Sequence, residues 1–390
     1  MKNVVGQTPR KEDFYPREAI ENRIYRRLET SNLYLAAPRR VGKTSIMRHM
    51  EDAPRAGFHF IYVITESIHD TEGYYAKLLD EILKSEVVGK LAKRKAQFAS
   101  LITDIFKRVE KIKTPFGEID LSKRGKESFQ SAFEELLVKC GEAEEILVIM
   151  VDEFPQTVEN IRDKSGSEAA EHFLRLNREQ RHQAARNIRF IYTGSIGLPN
   201  VVKKLTSLKV INDLNTVEIP PLTYAEAENL ATILLHNYKI DYDPTLIPYL
   251  LEKIKWLIPF HIQLAVQELI DVSEMKQKRL VATDVDQAFL QLLNIRNNIY
   301  FDHYYSRLQT AFPQSSYEFA LLFLDTLCET HTLLPDAVLG IAQTTHTENE
   351  YPSVLESLIY DGYIHQEAET RIYRFNSYLL QRWWAKKNPH

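Results

Sequence analysis

Over the first 220 residues, short apolar runs alternate with stretches in which apolar side chains return every third or fourth position. Leu33-Tyr34-Leu35-Ala36, Phe58 to Thr65, Ile146 to Val151, Asn187 to Thr193 and Val217 to Ile219 read as strands, the third of them buried on both faces. Between them, Ile20, Ile24 and Leu28, then Ile46, Met47 and Met50, then Tyr75, Leu78, Leu79 and Ile82 keep helical spacing, and further helices are expected over 126–139 and 167–185. Strands alternating with helices predict an α/β fold with a parallel sheet. Beyond 220 the pattern becomes helical, opening at Thr223, a good N-cap, and running through Trp256 and Phe260 to about residue 295. From 315 to 385, three short helices (317–327, 334–341, 352–360) precede two strands (362–365 and 371–375), the outline of a winged helix-turn-helix.

The first strand leads straight into Ala37-Pro38-Arg39-Arg40-Val41-Gly42-Lys43-Thr44-Ser45. A strand, a loop rich in outward backbone amides and a helix N-terminus together form a cradle for phosphate. Lys43 is placed to reach the β- and γ-phosphates of a nucleoside triphosphate and the Thr44 hydroxyl to ligate Mg²⁺. The segment matches G-x-x-x-x-G-K-[ST] except at its first position, where Ala37 replaces glycine. That exchange costs about 1 kcal/mol if the position needs a positive φ. A hundred residues on, the apolar strand Ile146 to Val151 ends in Asp152-Glu153, two carboxylates where open α/β sheets place ligands. Asp152 suits the Mg²⁺ shell, and Glu153 suits the orientation or deprotonation of an attacking water.

Composition narrows the setting. At 390 residues, with 44% apolar and 26% charged side chains, the chain suits two or three globular domains. No run approaches the ~18 apolar residues of a membrane span, and the opening Met1-Lys2-Asn3-Val4-Val5-Gly6 lacks a signal-peptide core. Cys140 and Cys328 stand alone, which points to small core residues in a reducing cytoplasm. Charge is uneven. Residues 84–126 hold twelve lysines and arginines against five acidic residues, with a hairpin expected at Pro115-Phe116-Gly117. They read as an insertion able to contact nucleic acid or an acidic protein face, or as a solvated helix surface. Residues 315–385 hold ten acidic residues against three basic ones, a sign that opposes binding to a polyanion.

Taken with Tyr192-Thr193-Gly194-Ser195, Pro221-Leu222 before Glu226-Ala227, and the closing Phe375 to Trp384, these motifs resemble the prokaryotic and archaeal-type ATPases of the STAND branch of AAA-related P-loop NTPases. The resemblance spans nearly the whole chain. It implies a P-loop NTPase core with a parallel sheet (1–220), a helical lid (221–300) and a C-terminal winged-helix domain (301–390). It also implies that Ser195 lies at a sensor position near the γ-phosphate, with an uncharged residue where relatives carry arginine. The Pro16-Arg17-Glu18 region would border the adenine. Pro259 would be the lid's nucleotide-facing proline, with Leu257 where a glycine is expected.

The expected function is a slow Mg²⁺-dependent ATPase switch that binds ATP or ADP, with a protein partner or self-association. A DNA-binding regulatory or replication-type ATPase and a scaffold that keeps ADP are the alternatives. Arg175, Arg178 and Arg181 follow the acidic strand at helical spacing, either as an arginine finger or as a basic face paired with Glu168, Glu171 and Glu179.

Overall fold

The structure, a computed structural model, describes residues 1–85, 128–140, 145–184 and 187–387. The basic segment 84–126, apart from Lys84 and Ser85, and the Cys140 side chain lie outside that description. In chain order the elements are α1 (Glu18–Leu28), β1 (Asn32–Ala36), α2 (Lys43–Asp52), β2 (Phe58–Ile64), α3 (Thr71–Lys84), α4 (Phe129–Cys140) and β3 (Ile146–Asp152). Next come α5 (Phe154–Ser165), α6 (Ser167–Gln183), β4 (Ile188–Thr193), α7 (Leu198–Leu205) and β5 (Leu214–Glu218). Then follow α8 (Tyr224–Asn237), α9 (Leu246–Ile254), α10 (Pro259–Lys276), α11 (Ala282–Leu292), α12 (Asp302–Ala311) and α13 (Gln314–Thr330). The chain closes with α14 (Pro335–Thr344), α15 (Tyr351–Tyr360), β6 (Ile364–Gln366), β7 (Tyr373–Phe375) and α16 (Tyr378–Lys387).

The chain divides into two compact units: Pro16–Ala36 with Lys43–Ile219, and Met1–Tyr15 with Ala37–Gly42 and Pro220–His390. The first is α/β. Its five strands lie in the order β2-β3-β4-β1-β5, all parallel. β3 is buried along its length from Leu147 to Asp152, as the unbroken apolar run requires of a central parallel strand. Behind it, Phe154, Phe173, Tyr74 and Tyr192 form an aromatic cluster, with the Phe154 and Tyr192 centroids 4.5 Å apart.

Among its described residues the second unit is mainly helical, with one antiparallel strand pair, β6–β7. Thr223 caps α8 through a capping box with Glu226, as the sequence predicts. Helices α13, α14 and α15 followed by the β6–β7 hairpin reproduce the order read from the sequence. Two buried indoles of α16 hold this unit together: Trp383 Nε1 donates to Asn298 (3.0 Å) and Trp384 Nε1 to Asp325 (2.6 Å). Arg307 binds Asp361 through two hydrogen bonds of 2.8 and 2.9 Å. Among the described residues, no helix is long and apolar enough to cross a membrane.

Candidate functional site

Because every strand of the sheet runs the same way, β1, β4 and β3 end on one edge, with β4 between the other two. Strand ends along that edge are where parallel α/β sheets collect ligands. β3 ends at Asp152, and Glu153 then takes a left-handed backbone conformation (φ 60°, ψ 30°). That conformation is costly for a residue with a side chain and persists where the surroundings fix it. Here Phe154 is fully buried in the aromatic cluster, Pro155 occupies the first turn of α5, and Asp152 Oδ1 accepts the Glu153 amide at 3.0 Å. Gly194, just past β4, closes the turn from the other side. A β-carbon there would lie 2.6 Å from Pro155 Cδ and 3.4 Å from Glu153 Oε2, so only glycine fits without a shift.

Asp152 is buried and its Oδ2 gathers two hydroxyls, Thr44 Oγ1 at 2.8 Å and Tyr62 OH at 2.7 Å. Thr44 opens α2 beside Lys43, itself buried, so the glycine-lysine-threonine motif and the acidic strand meet at a single hydrogen bond. A hydroxyl and a carboxylate on rigid elements are hard oxygen donors of the kind Mg²⁺ takes. The donor set therefore fits that ion, and the two residues that form it are Thr44 and Asp152.

Glu153 faces Ser195. Its Oε2 accepts both the Ser195 amide (2.8 Å) and the Ser195 hydroxyl (2.9 Å). Its pKa is raised from the ordinary value: burial disfavours the charge and Asp152 repels it, while the two Ser195 bonds and the Lys43 charge partly offset both. The arrangement is a carboxylate of heightened basicity, oriented by a residue just past a neighbouring strand and set next to the Thr44–Asp152 pair.

The loop Ala37–Gly42 belongs to the other unit, and its side chains are engaged there. Ala37 does not take a positive φ, so its replacement of glycine carries no backbone strain; Arg40 (φ 63°) and Gly42 (φ 106°) take the left-handed turns. The Arg40 guanidinium lies 3.9 Å from the centroid of the Phe260 ring and donates to the Tyr300 carbonyl at 2.9 Å. Pro38 packs near Gly362, where an added β-carbon would come within 2.9 Å of Pro38 Cβ. The Arg39 charge acts on the buried phenols Tyr304 and Tyr363, and Val41 is buried.

The remaining expected residues are scattered along the chain. Ser45 is half-buried in the first turn of α2, Pro16 is exposed, and Arg17 is buried at the start of α1, its amide donating to Glu21 (3.3 Å). Pro259 opens α10 in the C-terminal unit. Of the three arginines on α6, Arg181 is buried and bound twice to Asp213, Arg175 pairs with Glu171, and Arg178 donates to Asn212. Each therefore has a partner within its own unit, the pattern of a structural face.

Tyr62 is the residue that sequence reasoning missed. It sits in the middle of β2 opposite Met150, two residues before Asp152, and carries no motif. Only the pairing of β2 with β3 brings its hydroxyl to the acidic pair.

No family model matches the chain, and no curated protein matches it. Among solved structures it is similar to the Walker-type ATPase paby2304 of Pyrococcus abyssi, with a TM-score of 0.67 at 16% identity over 98% of this chain and 99% of that one. It is also similar to the Aeropyrum pernix ORC2 protein, determined as ADPNP–ADP complexes, with a TM-score of 0.54 at 13% identity over 96% and 95% of the two chains. At such identities the likeness establishes the fold. That fold is shared with both proteins over nearly the full length of the chain.

Proposed function

We propose that the protein is a Mg²⁺-dependent ATPase that turns over slowly and works as a molecular switch. The observation that carries this reading is the Thr44–Asp152 hydrogen bond, with Glu153 held beside it by Ser195. The Aeropyrum pernix ORC2 protein, seen in complexes with ADPNP and ADP, lends support from a shared fold.

Backbone amides of the Pro38 to Ser45 segment and the N-terminus of α2 would cradle the phosphates, with Lys43 neutralising the terminal ones. Thr44 and Asp152 would hold Mg²⁺, which when bound offsets charge developing on the transferred phosphoryl group. Both Ser195 bonds go to Glu153 Oε2, so Oε1 is the oxygen that would align the attacking water and take its proton. Turnover would be slow because Ser195 brings no positive charge to the sensor position.

The switch reading is supported by the membership of Ala37–Gly42 in the C-terminal unit, where Arg40 is committed to Phe260 and Tyr300. Nucleotide occupancy of that loop would set the arrangement of core, lid and winged-helix segments. The assignment to the STAND branch rests on the sequence motifs. The acidic balance over 315–385 favours a protein-contact role for the C-terminal segment over DNA binding.

The test is phosphate release from ATP with and without Mg²⁺. Glu153→Gln is expected to keep nucleotide affinity and to lose about 10²- to 10⁴-fold in turnover, the range for a general base. Unchanged hydrolysis in that variant would refute the role given to Glu153. A salt-sensitive gel shift on duplex DNA would favour the replication-type alternative.

A further inference from the structure

Tyr62 is buried, and its position is fixed from three sides. Its amide donates to Glu51 Oε1 at 3.0 Å, and the Arg48 guanidinium lies 3.5 Å from the centroid of its ring. Arg48 and Glu51, both on α2, are themselves joined at 2.8 Å. The third side is the hydroxyl, which donates to Asp152 Oδ2 at 2.7 Å. The contacts form a closed circuit. Helix α2 starts with Lys43 and Thr44, and one and two turns later it grips Tyr62. Tyr62 holds Asp152, and Asp152 accepts the hydroxyl of Thr44 at the start of the same helix.

We propose that Tyr62 is a positioning residue for the magnesium site, fixing the Asp152 carboxylate so that it and Thr44 present one preformed oxygen pair to the ion. The proposal rests on the ATPase reading above. With the Glu153 amide on Oδ1 and the Tyr62 hydroxyl on Oδ2, the carboxylate plane cannot swing. Burial and the neighbouring Asp152 charge push the phenol pKa well above its ordinary value, so the hydroxyl stays a donor across the working pH range. A carboxylate set by a neighbouring donor loses less freedom when it takes a metal, and removing such outer partners costs about 10- to 100-fold in metal affinity.

Tyr62→Phe keeps the ring under Arg48 and removes only the hydroxyl. In titrations of a fluorescent ATP analogue, wild type is expected to bind more tightly with Mg²⁺ than in EDTA. Tyr62→Phe should need about 10- to 100-fold more Mg²⁺ for the same gain while its affinity in EDTA stays within about twofold of wild type. In an Asp152→Asn background the Tyr62→Phe change should add nothing further, because the tyrosine acts through that carboxylate. Arg48→Met leaves the hydroxyl in place but frees the ring, and should shift the Mg²⁺ requirement in the same direction by less; it stands in if Tyr62→Phe does not fold. A Tyr62→Phe titration that matches wild type, or an equal loss with Mg²⁺ and in EDTA, would overturn the proposal. If wild type itself binds the analogue equally with Mg²⁺ and in EDTA, the magnesium reading beneath the proposal fails first.

Discussion

The Arg181–Asp213 pair and the Asp152–Glu153 pair are both polar clusters sunk into the same α/β unit, and they are built in opposite ways. Arg181 and Asp213 neutralise each other through two hydrogen bonds of 2.6 and 2.8 Å, and the guanidinium also donates to the Val210 carbonyl at 2.8 Å. Asp152 and Glu153 are adjacent like charges on a strained turn, and the burial and repulsion that raise the Glu153 pKa keep them under electrostatic tension. A cluster that cancels its own charge serves the fold. A cluster that concentrates negative charge, with hydroxyls donating to it, suits the cation and proton that the proposed function brings there.

That division can be broken most forcefully at Arg181. Arg181→Met leaves the half-buried Asp213 without its partner and the site of a buried guanidinium unfilled, and should cost about 3–5 kcal/mol of stability in chemical denaturation while ATP affinity of the folded protein is kept. Loss of affinity with stability intact would contradict the assignment of this pair to the fold. A smaller effect is expected at the turn between the clusters. Gly194→Ala forces Pro155 or the β4 end to move, which should cost about 1–3 kcal/mol. Because Glu153 moves with it, turnover should fall by up to about 100-fold. A variant with wild-type kinetics would show that the turn does not set the carboxylate.

The mildest test is pH. A raised pKa means that Glu153 takes up its proton at a higher pH than the ordinary 4.5, and the base is lost as pH falls through the raised value. The rate should therefore decline at most tenfold per pH unit on the acid side, with a midpoint above 4.5. Ser195→Ala, by removing one of the hydrogen bonds that favour the charged form, should move that midpoint further up. A midpoint at or below the ordinary value would contradict the burial of the charged group.

Much of the α/β unit is legible in the sequence because its central strands are buried on both faces and its helices on one. Residues 146–151, 58–65 and 187–193 stand out as apolar runs, and the meeting of the glycine-lysine-threonine motif with the acidic pair is foreshadowed by their places after the apolar runs 33–36 and 146–151. The last strand of the sheet reads only as 217–219. β5 spans Leu214–Glu218 as an edge strand with exposed positions, which blur an apolar run. Helix α5 escapes a sequence reading because Phe154-Pro155 also suits a turn, yet proline is favoured in the first turn of a helix, and Phe154, Val158 and Ile161 then fall on its buried face. Tyr62 and Arg40 are hidden for a different reason. Tyr62 meets Asp152 across 90 residues, and Arg40 meets Tyr300 across 260, so their roles depend on tertiary pairing that no local pattern encodes.

Calorimetric titration of the full chain with ATP in the presence of Mg²⁺ tests the central claim most directly. Saturable binding is expected for wild type, with affinity abolished or strongly reduced by Lys43→Ala. Absence of binding to wild type, or equal affinity in the Lys43→Ala variant, would contradict the account.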